Sequence, residues 1–335
     1  MNNNLNLKRD SESQELYVLK AFAIFSVICA HCSSVGADGI IWNLFVSNIL
    51  KSVGAVGIFV FYFLSGYFLY FTQKKIGAFW KNKFFSIIIP WLFGGSTVYL
   101  YIYLRKGNIS IITWLKWIAG MDTYLYYVVL LLIFFALFYP LRKNKIFPIV
   151  FATLSVIENI LLFVIPKEIF SVKYPYLDPL RFGYMFSLGL IVANFGLLPK
   201  IMSFSRKSMI YLSVIIPILL IVPGWFGFYY QYFTLWYIPY AILFSFLLIG
   251  FSQYIKGKKL NLFLNIGRWS YTIYLIHMPF AGIVVKISDL IDNPFVTILR
   301  PFIILTVVYF LIMFIIAISH HIKLNKLLNV LFGLR

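Results

Sequence analysis

Near its N-terminus the chain reads Glu15-Leu-Tyr-Val-Leu-Lys20-Ala-Phe-Ala-Ile-Phe-Ser-Val-Ile-Cys29-Ala-His31-Cys-Ser-Ser34, an apolar run of bilayer-spanning length that carries one lysine and one histidine. An ionisable side chain at bilayer depth costs roughly 2.5–3.5 kcal/mol on insertion scales, so both residues are read as functional groups facing the interior of a helix bundle. Eleven residues at 100° each return a helix to within about 20° of its starting face, with a rise of roughly 16 Å. Lys20 and His31 therefore share one stripe at two depths. Lys20 lies too deep for a signal-peptide n-region and no clear small-x-small cleavage site follows His31, so the segment is expected to be retained as the first span.

Working outward, the rest of the chain repeats the pattern. Of 335 residues, 62% are hydrophobic and 12% charged, and long apolar runs recur from end to end. This is the composition of an all-α, polytopic membrane bundle of about ten transmembrane helices. The spans are expected near residues 16–34, 53–71, 84–104, 123–141, 147–165, 180–198, 209–224, 232–253, 269–288 and 300–319. With the N-terminus inside, the inner segments hold Lys8, Arg9, Lys74, Lys75, Lys81, Lys83, Arg142, Lys143, Lys145, Lys200, Arg206, Lys207, Lys256, Lys258, Lys259, Arg268, Lys323, Lys326 and Arg335. The outer ones hold about half as many basic residues, among them Arg105, Lys106, Lys116, Lys167, Lys173 and Arg181. Both termini are thus expected in the cytoplasm. The same bias accounts for most of the net charge of +19, and no basic, aromatic-interleaved soluble patch points to nucleic acid. Residues 1–14 read as a cytoplasmic polar tail, 15–322 as the membrane domain and 323–335 as a second cytoplasmic tail; the connections are too short for a separate soluble core. A Gly-rich, Lys-terminated nucleotide loop is absent, as is a clear internal repeat of the kind many transporters carry.

Other ionisable groups at membrane depth are few. Ser270, Tyr274 and His277 fall at i, i+4 and i+7, a polar stripe on one face of the ninth span. Such a histidine either lines a cavity or serves as an interhelical hydrogen-bonding group. Glu158, beside Asn159 in the fifth span, must be neutral or paired, and His31 is one candidate partner. Arg181 opens the sixth span after Asp178, as a functional group or as an interfacial anchor. His320 and His321 read as interface residues. Cys29 and Cys32 flank His31 at a spacing that redox or metal chemistry could use, but no second Cys or His pair completes a site, and small apolar packing residues are the simpler reading. No metal site is expected.

The residues also carry a family resemblance. The chain resembles the acyltransferase type 3 family of ten-span integral membrane O-acyltransferases over most of its length. Lys20 and His31 match a basic residue, ten intervening residues and a histidine in the first span. Gly57-Ile-Phe-Val-Phe61-Tyr62-Phe63-Leu-Ser65-Gly66 is similar to the family's aromatic run into Ser-Gly. Lys81-Asn-Lys83-Phe-Phe-Ser-Ile-Ile-Ile89-Pro90-Trp91 resembles its basic lead into Ile-Pro, and Arg181-Phe-Gly-Tyr-Met-Phe186-Ser-Leu-Gly189 its Arg-led sixth span. Ser270, Tyr271, Tyr274, Leu275 and His277 match its Ser-Tyr-x-x-Tyr-Leu-x-His. The sequence departs from the pattern at Phe59, where many members are acidic, and at Thr123-Tyr124-Leu125-Tyr126, where a His-Leu-Trp-Tyr-like start is usual; both bear on the acceptor class.

The resemblance implies transfer of a short acyl group, acetyl above all, from cytoplasmic acyl-coenzyme A to a hydroxyl of an extracytoplasmic or lipid-linked glycan. No permanently bound cofactor is implied. It places the protein as a multi-pass component of a bacterial inner or plasma membrane, with lipid, acyl-CoA and glycan as its partners. A hydroxyl is a poor nucleophile near neutral pH, and a histidine in reach can take its proton. His31 is assigned that role, and Lys20, nearer the cytoplasm, is matched to donor phosphates. His277 is expected to orient the donor carbonyl or to act as second member of an acyl relay. Lys81 and Lys83 are candidates for the anionic nucleotide end of the coenzyme, although positive-inside bias alone would put lysines there. Glu158, Arg181, Tyr274 and Ser270 are left as acceptor-binding or structural polar groups. Two other classes fit a bundle with buried Lys, His and Glu: an exporter of polysaccharide or small molecules, and a non-catalytic partner in glycan assembly.

Overall fold

The computed structural model describes residues 2–33, 41–104, 107, 109–121, 123–165, 173–291, 293–321 and 324–334. Ser34, Arg105, Lys106, Lys167, Lys323 and Arg335 of the sequence reading lie outside the described residues. In chain order the α-helices are α1 (Asn2–His31), α2 (Ile41–Tyr70), α3 (Ile76–Lys83), α4 (Ile89–Leu104), α5 (Ile111–Ile118), α6 (Tyr126–Phe138), α7 (Phe147–Val164), α8 (Pro179–Asn194), α9 (Leu198–Trp225), α10 (Tyr237–Ser252), α11 (Lys258–Arg268), α12 (Ser270–Ser288), α13 (Pro294–His321) and α14 (Asn325–Phe332). No strand occurs among the described residues. Seven stretches are long and apolar enough to cross a membrane: Gln14–His31, Trp42–Tyr70, Ile76–Leu104, Phe147–Val164, Leu198–Trp225, Ser270–Ser288 and Pro294–Ser319. The remaining expected spans fall on the shorter helices α6, α8 and α10.

The structure changes several boundaries. α2 begins at Ile41 rather than at residue 53, because Asn43, Ser47, Asn48 and Ser52 depress the apolar signal yet are all buried. Asn48 Nδ2 donates to the Gly224 carbonyl (3.4 Å), Ser52 Oγ accepts from the Tyr230 amide (3.1 Å) and the Ser52 carbonyl accepts from Tyr240 Oη (2.9 Å). Hydrogen bonding lets polar residues stay inside the protein. The polar tail continues α1 back to Asn2, a stretch free of Gly and Pro. Nor is the C-terminal tail merely a tail: it contains α14, whose Phe332 ring lies 5.3 Å from that of Phe93, and Gly333 closes the helix in the left-handed conformation (φ 68°).

The chain forms two compact units. The first comprises residues 1–60, 199–232 and 236–312, and the second 61–198, 233–235 and 313–335. In the first unit α1 packs against α10, α11 and α12. Val18, Leu19, Ala23, Ile24 and Ile28, in the apolar half of α1, are sealed from solvent. Small residues bring α1 and α2 together: a Cβ on Gly57 would strike the Ala23 carbonyl, and one on Gly54 would strike Ala30. Ser26 Oγ donates to the Val53 carbonyl across the same crossing. Close backbone approach through small residues is how helices associate where lipid removes the hydrophobic drive.

The second unit repeats the device. A Cβ on Gly66 would meet the Phe186 carbonyl, and one on Gly189 would meet the Phe63 carbonyl and Tyr67 amide, so the end of α2 and α8 cross backbone against backbone. α7 is stitched to α8 by Ser155, whose Oγ donates to the Leu180 carbonyl and accepts from the Tyr184 amide at 2.9 Å. Between α3 and α4 the chain makes a π turn over Phe84–Ile88, where the Ile89 amide reaches back five residues to the Phe84 carbonyl. Pro90 offers no N–H to the Ser86 carbonyl, and the wider turn takes up that break in the α ladder. α5 is held beside α4 by Trp114 Nε1 donating to Ser96 Oγ (2.9 Å) and Trp117 Nε1 to the Gly95 carbonyl (3.0 Å).

Candidate active site

His31 is the last residue of α1 and is half-buried. Its ring centroid lies 5.1 Å from that of His277, with the planes at 48°. Ser270, Tyr274 and His277 are all buried, so the stripe predicted on the ninth span does face inward, and His277 is completely enclosed (0% exposed). The Tyr274 ring lies 6.0 Å from that of His277. His277 Nδ1 is 2.7 Å from the Tyr274 carbonyl and 3.2 Å from that of Ile273. A carbonyl oxygen only accepts, so Nδ1 carries the hydrogen and the lone pair of the neutral ring is on Nε2. The helix's own backbone thus selects the tautomer. One imidazole is half-buried; the other, held by its backbone contacts, is fully enclosed beside it.

Lys20 is half-buried on α1, its Nζ 4.9 Å from the centre of the Tyr17 ring. The Cys29 and Cys32 thiols are free and buried. One group escaped the sequence reading. Arg300, a turn and a half into α13, is among the largest fully buried side chains (2% exposed). Its Nη1 donates to the Cys32 carbonyl (3.2 Å) and its Nη2 to Asp289 Oδ1 (2.5 Å). The signal was available: it is an arginine flanked by Ile298, Leu299 and Phe302 within an otherwise apolar stretch.

The other predicted residues belong to the second unit. Glu158 is hydrogen-bonded to Asp178 and lies within electrostatic reach of Arg181. Asp178 also caps α8, its Oδ1 accepting from the Leu180 amide (3.0 Å). The Arg181 guanidinium lies 4.4 Å from the centre of the Phe233 ring. Tyr176 joins this group, 4.8 Å from Phe233 and 5.1 Å from Tyr126 between ring centroids. Lys81 is exposed, whereas Lys83 is half-buried with Nζ 4.0 Å from the centre of the Phe135 ring.

The family model described as an acyltransferase domain matches residues 14–322, nearly the whole chain. The protein belongs to the acyltransferase type 3 family. No curated protein and no solved structure matches it. Membership makes acyl transfer the activity class and a lipid bilayer the setting, in accord with the long apolar helices. Gly66 of the Ser-Gly motif and Gly189 of the Arg-led motif lie at one crossing, where each leaves room for the other helix's backbone. Those residues hold the fold, while the histidines of α1 and α12 meet as a ring pair.

Proposed function

We propose that this acyltransferase moves a short acyl group, acetyl above all, from cytoplasmic acyl-coenzyme A to a hydroxyl of an extracytoplasmic or lipid-linked glycan. The observation that carries the reading is the ring pair of His31 and His277, one half-buried and one fully buried with a fixed tautomer, in a chain of this family. His31 takes the hydroxyl proton as the acceptor oxygen attacks the thioester carbonyl. The tetrahedral intermediate collapses with loss of the coenzyme thiolate, and the proton held by His31 passes to that sulfur. His277 presents its Nε2 lone pair to orient and polarise the first imidazole, the part that a third group plays behind a catalytic base. Lys20, Lys81 and Lys83 supply positive charge to the phosphates of the donor. Glu158 and Arg181, beside the exposed edge of Tyr176, offer hydrogen bonds and a ring face of the kind a sugar acceptor uses. About ten spans with both termini in the cytoplasm bring an inner donor and an outer acceptor to one protein.

The test is transfer of radiolabelled acetyl from acetyl-coenzyme A in membranes that contain equal amounts of wild type or His31→Ala, with label in glycan and in protein followed separately. Label that reaches glycan only when His31 is present supports the reading. An active His31→Ala variant removes His31 as the base. No label with the wild type, together with disappearance of the glycan from the cell surface when the protein is lost, would make it an exporter instead.

A further inference from the structure

Arg300 closes a circuit of contacts around the imidazole pair. His31 ends α1, and the carbonyl groups of a helix's last turn have no donors within the helix. Arg300 supplies one, from α13, to the Cys32 carbonyl, one residue beyond His31. A cation at this end also complements the helix dipole. The guanidinium is held in turn by Asp289, which caps the C-terminus of α12. α12 is the helix that carries His277. The path therefore runs from the His31 ring to the His277 ring, along α12 to Asp289, across to Arg300 on α13, and back to the backbone at His31. An arginine only 2% exposed is expensive to retain for packing alone, whereas Asp289 is 43% exposed and reachable from outside the bundle.

We infer that Arg300, held by Asp289, is a positioning residue for acyl transfer: it fixes the outer end of α1 and so sets the distance and angle between the His31 and His277 rings. The inference rests on the proposed roles of the two histidines. Its planar fork matters as much as its charge, because one nitrogen serves the carboxylate and another the carbonyl.

A double-mutant cycle tests it. Arg300→Met, Arg300→Lys and Asp289→Asn are each made in the wild type and in His277→Ala, and kcat and the donor KM are measured in membranes with quantified protein. A wild type that transfers no acyl group to any acceptor ends the functional reading itself, separately from the clamp. With an active wild type, Arg300→Met is expected to lower kcat about 10- to 100-fold with the donor KM unchanged, Arg300→Lys to recover only part of this, and Asp289→Asn to cost about 5-fold. In the His277→Ala background each substitution should cost less than about 3-fold, because the geometry it protects is already lost. Equal costs in the two backgrounds, or a loss confined to donor KM, overturn the clamp. Should Arg300→Met fail to accumulate, Asp289→Asn decides by the same comparison: an uncoupled loss, or none, overturns it.

Discussion

The two units use glycine alike and polar side chains differently. In both, a helix crossing is closed to backbone contact by a pair of small residues: Gly54 and Gly57 in the first, Gly66 and Gly189 in the second. In the first unit discrete hydrogen bonds to backbone carbonyls hold the His277 imidazole within α12 and the Arg300 guanidinium beyond α1. The second gathers Glu158 of α7 with Asp178 and Arg181 at the start of α8, all half-buried, with Arg181 beside the Phe233 ring and Tyr176 next to it. A few exacting contacts suit groups that must meet a reacting atom at a fixed angle.

The largest effect should come from removing what the units share. Gly189→Leu or Gly57→Leu drives a side chain into an opposing backbone, and overpacking of about 1–3 kcal/mol or more is a large part of any protein's margin. Either variant should lose most of the monodisperse protein recovered in detergent; full recovery would show that the crossings can separate without cost. Next, the difference between the units can be read in kinetics. His277→Ala should reduce transfer about 100-fold at unchanged protein level, through kcat. Arg181→Ala should cost about 10-fold or less and act on acceptor KM. If the two variants exchange signatures, the roles proposed for His277 and Arg181 fail. Acidification should separate them as well. A histidine base works in its neutral form, so transfer is fully present above the pKa of His31 and falls as pH drops through it. That acid limb should survive in Arg181→Ala and vanish from whatever residual rate His31→Ala retains. The smallest effect expected is at the lysines: Lys83→Ala should raise donor KM a few-fold, about 2- to 5-fold, and exposed Lys81→Ala less, with kcat untouched in both. Equal donor KM in wild type and both variants would leave these lysines to orient the chain in the membrane.

Much of this arrangement could be read from residue order. The eleven-residue interval from Lys20 to His31 and the i, i+4, i+7 pattern of Ser270, Tyr274 and His277 follow from helix geometry, and burial of the latter three bears the pattern out. That the two histidines meet could not be read in this way, since it depends on how α12 packs on α1. The same holds for Arg300, whose meaning comes from a carbonyl 268 residues away in sequence. The start of α2 was lost for a different reason. Hydropathy treats Asn43, Ser47, Asn48 and Ser52 as evidence against a span, and only their enclosed, largely hydrogen-bonded placement reverses that. A carboxylate at membrane depth calls for a partner, as Glu158 finds in Asp178 and Arg181, but residue order alone cannot single those two out.

The π turn over Phe84–Ile88 has a consequence for how this segment tolerates changes in length. A five-residue turn holds one residue more than the α-helix would require for the same advance. Deleting a single residue there can be absorbed by relaxation to the ordinary winding, leaving Lys81 and Lys83 facing as they do. The same deletion in the middle of α6 would turn everything beyond it by about 100° around the axis.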